Sequence, residues 1–254
     1  MSRNVKGLGH MAKGSFVPKI VAGLMIAGTC AGVAGFMAGC QTAGSCGNNN
    51  KKGCVWMDNK VFYKDGKFDQ DKAKQAYYNM MDKFGYTIFD ELKRPDGPFW
   101  AVDFGKGEFT SFGMGGVIWC NETEGYFGHE IYLLPGQNIA EHRHLPTKGK
   151  DGQTIRCKIE SWQVRHGTVY GFSEVGEPNL DQFPEAKAML AKCQIPHLKS
   201  VHVQKWEADG KVHKLAAPET WHFMQAGPEG AIVFEFATFH DNAGLRFTVP
   251  GTAL

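Results

Sequence analysis

Two histidines separated by one residue are the strongest chemical signal in this sequence. His142 and His144 flank Arg143, and on a β-strand residues two apart point to the same face, so both imidazoles could bind one metal ion. An isolated pair of this kind also occurs by chance. Two later residues strengthen the case, because Glu160 on a second predicted strand and His222 after a proline turn add a carboxylate and a third imidazole. The sequence therefore predicts a metal site made of His142, His144, Glu160 and His222.

The elements expected to position these ligands are mostly strands. After Pro95 the chain consists of short alternating apolar runs separated by Gly, Pro, Asn and Asp turns, which is typical of an antiparallel barrel or sandwich. Before it, the segment Phe68–Gly85 has the pattern of one helix, with Asp69 as its N-cap. The segment 147–152 reads as a hairpin inserted between the second histidine and Glu160. We expect one all-β domain over residues 61–254 with a short N-terminal helical extension.

The order of the ligands resembles the two sequence motifs of the cupin superfamily. In the first motif, G-x5-H-x-H precedes E-x6-G, and the matching residues here are Gly136, His142, His144, Glu160 and Gly167. The gap before Glu160 is longer than cupins usually have. The second motif, a proline-containing turn before a final histidine, is matched more loosely by residues 217–222, where Glu219 stands at a position at which glycine is common. The resemblance implies a double-stranded β-helix, or jelly-roll, barrel.

The flanking segments resemble the D-lyxose isomerase family of cupins. The matching segments, in chain order between about Asp71 and Pro250, are Trp100–Phe109, His129–Gln137, Lys158-Ile159-Glu160-Ser161 and Glu235–Phe247. The chain carries Glu130 and Leu145 where this family usually has Lys and Trp, which leaves the substrate preference open.

This resemblance implies a metal-dependent aldose–ketose isomerase that converts D-lyxose to D-xylulose, or acts on a related sugar such as D-mannose. A proton must move between C1 and C2, and a divalent metal would stabilise negative charge on the sugar oxygens. Manganese is the first expectation, with zinc, iron, cobalt and nickel as alternatives. A non-catalytic sugar-binding lipoprotein and an oxygenase-type cupin are the competing interpretations.

Three residues are candidates for catalysis. The resemblance and the strand parity make Glu235 the candidate base, while Lys158, on the same face as Glu160, would hold or protonate a sugar oxygen. Arg246 could fix a sugar hydroxyl. The alternatives are that Glu235 supports a metal-binding histidine and that Arg246 forms a surface ion pair. The remaining histidines, His129 and His240 among them, are interpreted as core or surface residues.

The N-terminus has the pattern of an export signal. Basic residues precede an apolar run that ends in Met37-Ala38-Gly39-Cys40, which resembles a lipoprotein cleavage site. We expect a signal peptide over residues 1–39, lipidation of Cys40 and a flexible tether over residues 40–60, so that the domain is exported and anchored to the membrane of the cell envelope. An uncleaved membrane anchor is the alternative.

The composition limits the choice of partners. The formal net charge is +2 and the basic residues are spread along the chain, so no nucleic-acid partner is expected. A small sugar and the membrane are the expected partners, and a homodimer is open because cupins of this type commonly pair. Cys46 and Cys54 could form a disulfide or stay reduced.

Overall fold

A computed structural model describes residues 57–254. The expected signal peptide, Cys40, the Cys46–Cys54 pair and most of the tether lie outside the described residues. The α-helices are α1 (Gln70–Lys83), α2 (Asp90–Lys93) and α3 (Pro184–Ala188). The strands are β1 (Tyr63–Lys64), β2 (Lys67–Phe68), β3 (Trp100–Val102), β4 (Met114–Asn121), β5 (Tyr126–Leu133), β6 (His142–His144), β7 (Thr147–Lys148), β8 (Thr154–Ile155), β9 (Glu160–Ser173), β10 (His202–Glu207), β11 (His213–Lys214), β12 (His222–Thr238) and β13 (Leu245–Phe247).

Nine of these strands form one antiparallel sheet, which confirms the predicted all-β cupin class. Its main order is β10-β9-β12-β5-β4-β3, while β11 pairs with β9, and β6 pairs with both β12 and β13. Because β12 contacts β5, β6 and β9, it joins the strands that carry all the predicted ligands. Strand β9 alternates between buried and half-buried residues from Glu160 to Val164, while β12 is buried at most of its positions because it lies in the middle of the sheet.

The predicted helix is present as α1, and its ends have the expected residues. The Asp69 carboxylate accepts a hydrogen bond from the Lys72 amide, and Gly85 follows the last turn with a φ of 63°. Tyr77 and Met81, four residues apart on α1, are fully buried against the outer face of the sheet. The helix thus closes the outside of the barrel, opposite the face that carries the ligands.

Backbone geometry explains the glycines of the cupin motifs. Gly136 and Gly167 have φ values of 70° and 74°, and a Cβ on Gly167 would meet the Gly230 carbonyl. Glu219, which replaces the common glycine of the second motif, has a φ of 61°. A side chain in this region costs of the order of 1 kcal/mol. The backbone at this position therefore has a conformation that favours glycine, and the glutamate is accommodated there at an energetic cost.

Two loop predictions had different outcomes. The predicted insertion is a hairpin in which β7 pairs with β8, with Thr147 opposite Ile155. The Asp209-Gly210 pair in the charged stretch 205–211 also predicts a solvated hairpin with its turn at these two residues, and this prediction was wrong. There, β10 and β11 both pair with β9 along successive stretches, so the Asp209 region continues along one strand and does not reverse the chain.

The folded domain begins slightly before residue 61. Asn59 lies in a short 3-10 helix, donates through Nδ2 to the Gly107 carbonyl at 2.7 Å and accepts from the Thr110 amide at 3.1 Å. Residues 57–60, the end of the expected tether, are therefore part of the domain. Among residues 57–254, no helix is long and apolar enough to span a membrane. Cys120, Cys157 and Cys193 are all free thiols.

Candidate metal and sugar site

Strand pairing brings the four predicted ligands together. His142 and His144 lie at the two ends of β6, Glu160 begins β9 and His222 begins β12. His222 is paired directly with His142 across β12 and β6, and Glu160 pairs with β12 at Ala237. The ligands therefore come from three strands that the sheet fixes relative to one another.

The donor atoms of the four ligands are close enough for one ion. One donor atom from each residue lies within 4.8 Å of the others. Glu160 Oε1 is 3.3 Å from His144 Nε2 and 3.4 Å from His222 Nε2. All three of these atoms are buried without a hydrogen-bond partner, and buried polar atoms normally have one. The atoms thus converge on a point that a cation would satisfy, and the donor set fits a divalent metal.

Backbone carbonyls orient two of the imidazoles. His142 Nδ1 lies 2.8 Å from the Ala140 carbonyl and His222 Nδ1 lies 2.8 Å from the Thr220 carbonyl. A carbonyl only accepts, so each Nδ1 carries the proton and each Nε2 presents a lone pair toward the cluster. This tautomer leaves Nε2 of each ring free to bind a metal.

Lys158 and Glu235 lie directly beside the ligands. The Lys158 ammonium forms ion pairs with Glu235 Oε1 and, at 3.3 Å, with Glu160 Oε2. It also lies 4.2 Å from the centre of the Phe127 ring. Lys158 is 4% exposed and Glu235 is 3% exposed, so these charges interact with little screening by water.

Burial and charge act in opposite directions on this ion pair. Burial alone would raise the pKa of Glu235, but the Lys158 ammonium and His129 lower it well below its usual range. Burial alone would lower the pKa of Lys158, but Glu160 and Glu235 raise it. The result is a buried carboxylate and a buried ammonium that are both charged near neutral pH.

The site opens into a cavity of about 1010 Å³. The walls include all four ligands, Lys158 and Glu235, together with rings and aliphatic side chains such as Trp100, Trp162 and Ile131. A mostly apolar cavity with a few converging polar groups is the usual form of a small-molecule site.

Comparisons with known proteins place this site in a family. No protein-family model matches the chain. The D-lyxose/D-mannose isomerase of Thermosediminibacter oceani is 34% identical over 182 residues, which cover 70% of this chain and 90% of the relative. The D-lyxose ketol-isomerase of Cohnella laeviribosi is 31% identical over 184 residues, with 70% and 90% covered. The chain belongs to the D-lyxose ketol-isomerase family. As a member of that family it is an isomerase.

Solved structures agree on the fold. An L-ribose isomerase from Cellulomonas parahominis aligns with this D-lyxose ketol-isomerase family member at a TM-score of 0.52 and 13% identity, covering 72% of this chain and 92% of that chain. The same enzyme solved with L-ribose gives a TM-score of 0.52 at 14% identity. At these identities the likeness shows the cupin fold alone.

His129 and His240 belong to the site, although sequence reasoning assigned both to the core or surface. His129 lies opposite Glu235 across β5 and β12, and its Nδ1 is 3.3 Å from Glu235 Oε2. The His240 ring is 4.6 Å from that of His144 and lines the same cavity. Neither has a ligand-like spacing in sequence. His129 lies beside the candidate base because of the register of β5 against β12, and no sequence signal gives that register.

Arg246 is the one predicted catalytic residue that the structure does not bring to the site. On β13, Leu245 and Phe247 line the cavity, and Arg246 between them is exposed. Its guanidinium donates to the carbonyls of Ala243 and Leu245, both at 2.8 Å. Alternation along the strand turns the side chain away from the sugar site.

Glu130, which replaces the Lys usual in the D-lyxose ketol-isomerase family, also faces away from the cavity. Its carboxylate accepts hydrogen bonds from the hydroxyls of Tyr86 and, at 2.7 Å, Tyr132. Glu130 therefore fastens the segment after α1 to the outer face of β5. The replacement concerns attachment of the N-terminal extension, not the wall of the sugar site.

Three aromatic residues near the motifs, Trp162, Trp221 and Phe223, could by sequence stack on a sugar, and core packing is predicted for at least two of them. Trp162 contacts His222, with ring centres 5.6 Å apart, and lines the cavity. Phe223 also borders the cavity, but its ring stacks on Phe172 at 4.1 Å in the core. Trp221 is 7% exposed and lies under Arg143, 4.7 Å from its guanidinium. Trp162 is therefore the best placed of the three predicted aromatic residues to contact a sugar.

Proposed function

We propose that the protein is a divalent-metal-dependent aldose–ketose isomerase that acts on D-lyxose, forming D-xylulose, or on a related aldose such as D-mannose. The names of its relatives support the substrate class. The structural observation that carries the proposal is the buried Lys158–Glu235 ion pair, which lies beside the four candidate ligands in one cavity. A protein that only bound sugars would have little use for a desolvated carboxylate kept ionised at this point.

The candidate metal ligands are His142, His144, Glu160 and His222. When bound, a divalent metal supplies a Lewis acid that stabilises negative charge on the sugar oxygens. A set of three imidazoles and one carboxylate accepts several divalent metals and does not itself select one. Manganese is the metal that we would test first.

Glu235 is the proposed proton carrier. Its carboxylate takes the proton from C2 of the open-chain aldose and returns a proton to C1, while a second proton passes from O2 to O1. The conversion is redox-neutral. Because Glu235 is 3% exposed, the proton it holds is shielded from exchange with bulk water, which favours return of the same proton to the neighbouring carbon.

Lys158 and His129 set the protonation state and the orientation of the Glu235 carboxylate. Lys158 contacts one carboxylate oxygen of Glu235 and His129 Nδ1 contacts the other. Burial lowers the pKa of His129, and Glu235 opposes the change only in part. The neutral imidazole therefore donates from Nδ1 and fixes the carboxylate plane, while the Lys158 ammonium, which lines the same cavity, is the proposed donor to a sugar oxygen.

The test is turnover by protein that has been stripped of metal and reloaded with manganese. D-Lyxose and D-mannose are incubated with the protein, and ketose formation is followed by chromatography. We expect Glu235→Gln to lower kcat by about 10²- to 10⁴-fold, and His142→Ala to abolish both activity and stoichiometric metal binding. Glu229→Gln is the matched control, since Glu229 lies on the same strand but is exposed. Full metal loading with no turnover of any aldose would refute the proposal.

We also propose that the enzyme is exported and anchored through a lipid on Cys40. The support is the sequence pattern before this cysteine. Labelling of the wild-type chain with a fatty-acid analogue tests it, and Cys40→Ser should abolish the label and the cleavage before residue 40. A wild-type chain that is uncleaved and unlabelled in the membrane fraction would instead favour an uncleaved anchor. Pairing into a homodimer stays a prediction.

A further inference from the structure

We propose that the mouth of the cavity is a second sugar subsite, so that the enzyme accepts an aldose carrying another sugar unit at the end remote from the carbonyl. The inference rests on the proposed function and names a substrate class for it. The reacting sugar would lie at the ligands, and the attached unit would lie between the β7–β8 hairpin and the turn that starts at Asp241. Both segments line the same cavity as the ligands.

The size of the cavity is the first support. Its volume is about 1010 Å³, while cavities of roughly 300–1,000 Å³ hold drug-sized ligands. A single pentose or hexose is much smaller than such ligands. A monosaccharide at the ligands would leave a large part of the cavity to water, and a disaccharide would use it.

The hairpin is the second support, because it is an addition to the motif and it builds the mouth. Lys148, Lys150, Asp151 and Ile155 from this hairpin line the cavity. Within the hairpin, Lys148 Nζ donates to Thr154 Oγ1 at 2.8 Å, which links its two strands. At its base, the Leu145 amide donates to the Gly244 carbonyl at 2.8 Å, which ties the hairpin to the Asp241 turn.

The chemistry of the mouth suits hydroxyl groups better than an anion. Its charged residues include the ammonium groups of Lys148 and Lys150 and the carboxylates of Glu122, Asp151 and Asp241. Two cations and three anions do not favour a phosphate or carboxylate substituent. Donors and acceptors together beside an apolar wall do suit a sugar, which presents hydroxyls at its edge and C–H groups on its face. Ile118, 41% exposed, provides part of that wall.

Turnover of a disaccharide with a free reducing end provides the test. The probe is a 4-O-linked disaccharide of D-mannose, incubated with the manganese-loaded full chain beside D-mannose itself. In the expected reaction the proton on C2 moves to C1, the hydroxyl proton on O2 moves to O1, and the glycosidic bond stays intact. We expect kcat/KM for the disaccharide to equal or exceed the value for D-mannose.

Variants on the two sides of the mouth make the test specific. Lys150→Ala and Glu122→Ala each remove an exposed side chain, and each should lower the ratio of disaccharide to monosaccharide kcat/KM by about tenfold, the effect of one lost hydrogen bond to a charged group. Lys72→Ala, which removes an exposed lysine from α1, should leave the ratio unchanged. Unchanged ratios in both mouth variants, or turnover of D-mannose without turnover of the disaccharide, would overturn the inference.

A binding measurement separates this inference from the proposed function. The borohydride-reduced disaccharide and mannitol cannot be isomerised, so calorimetry reports their binding even if no aldose turns over. The disaccharide alditol should bind at least about tenfold more tightly than mannitol, and Lys150→Ala should reduce the difference. Equal affinities would refute the second subsite. Tight binding without turnover would uphold it and refute the isomerase proposal.

Discussion

Replacing Lys158 by methionine tests whether the buried charges of the site are arranged as a coupled unit. Methionine keeps an unbranched apolar stem against the Phe127 ring, which the Lys158 ammonium approaches at 4.2 Å. It leaves the carboxylates of Glu160 and Glu235 buried without their shared cation. Removing one partner from a buried ion pair costs about 3–5 kcal/mol, so we expect the metal-free variant to lose this much of its free energy of unfolding near pH 8.

The loss should depend on pH in a defined direction. In the wild type the pKa of Glu235 is lowered, so its contribution to stability is present above the unfolded pKa and is lost as the pH falls. Without Lys158, burial dominates and the folded pKa rises, so the variant loses stability as the pH rises from the unfolded pKa toward the folded one. The gap between wild type and variant must therefore shrink toward pH 5.

Urea unfolding of the metal-free proteins, followed by circular dichroism, measures these differences. Adding Glu235→Gln to the Lys158→Met variant should restore about 2–3 kcal/mol of the free energy of unfolding, because it removes a carboxylate that has lost its buried cation. The matched control is Lys199→Met, which removes an exposed ammonium 4.5 Å from the Trp221 ring and should cost only about 0.5–1 kcal/mol. Additive effects of the Lys158 and Glu235 substitutions would refute the coupled arrangement.

Three further outcomes follow from the structure. His129→Asn should lower kcat about tenfold or more with little change in KM, because His129 positions the Glu235 carboxylate. The control is His166→Asn, beneath the N-terminal extension, which should leave kcat and KM unchanged. Equal effects of the two substitutions in steady-state kinetics would contradict the positioning role of His129. Burial lowers the pKa of His240 to about 4, so the metal-free protein should lose stability as the pH falls from about 6.5 to about 4. The loss is up to about 1.4 kcal/mol per pH unit for each such histidine. Urea unfolding at pH 5 and pH 7 measures it, and a gain in stability at pH 5 would contradict the prediction. Glu219→Gly should stabilise the protein by up to about 1 kcal/mol by relieving a positive φ, and a lower melting temperature would contradict that reason.

Sequence reasoning succeeded where one local pattern determines the result. The capped helix α1, the β-rich texture after Pro95 and the hairpin at Thr147 each have a local signature, and all three are present. The four candidate ligands were also found locally, as a strand pair and two later residues, and the structure brings them together. The family assignment depended on the order of short motifs, and the relatives confirm it.

The remaining features depend on how distant strands pair. His129 acquires a role only because the register of β5 against β12 sets it opposite Glu235. Arg246 loses its predicted role because β13 pairs with β6 in a register that turns Leu245 and Phe247 inward. The sequence between these strands contains no signal for either register, so a residue's face could not be assigned from its neighbours alone.

The same pairing explains how the ligand set tolerates an insertion between two of its members. His144 is placed by its pairing with Leu245, and Glu160 by its pairing with Ala237, so neither position depends on the length of chain between them. Lengthening a surface connection costs little conformational entropy, since the closure cost grows only with the logarithm of loop length. The β7–β8 hairpin could therefore be added without moving any metal-binding atom, while its side chains reshape the mouth of the cavity. The size of the substrate can therefore change without a change in the chemistry at the ligands. A second sugar subsite built on the hairpin is possible because the mouth of the cavity and the metal ligands are positioned by different parts of the chain.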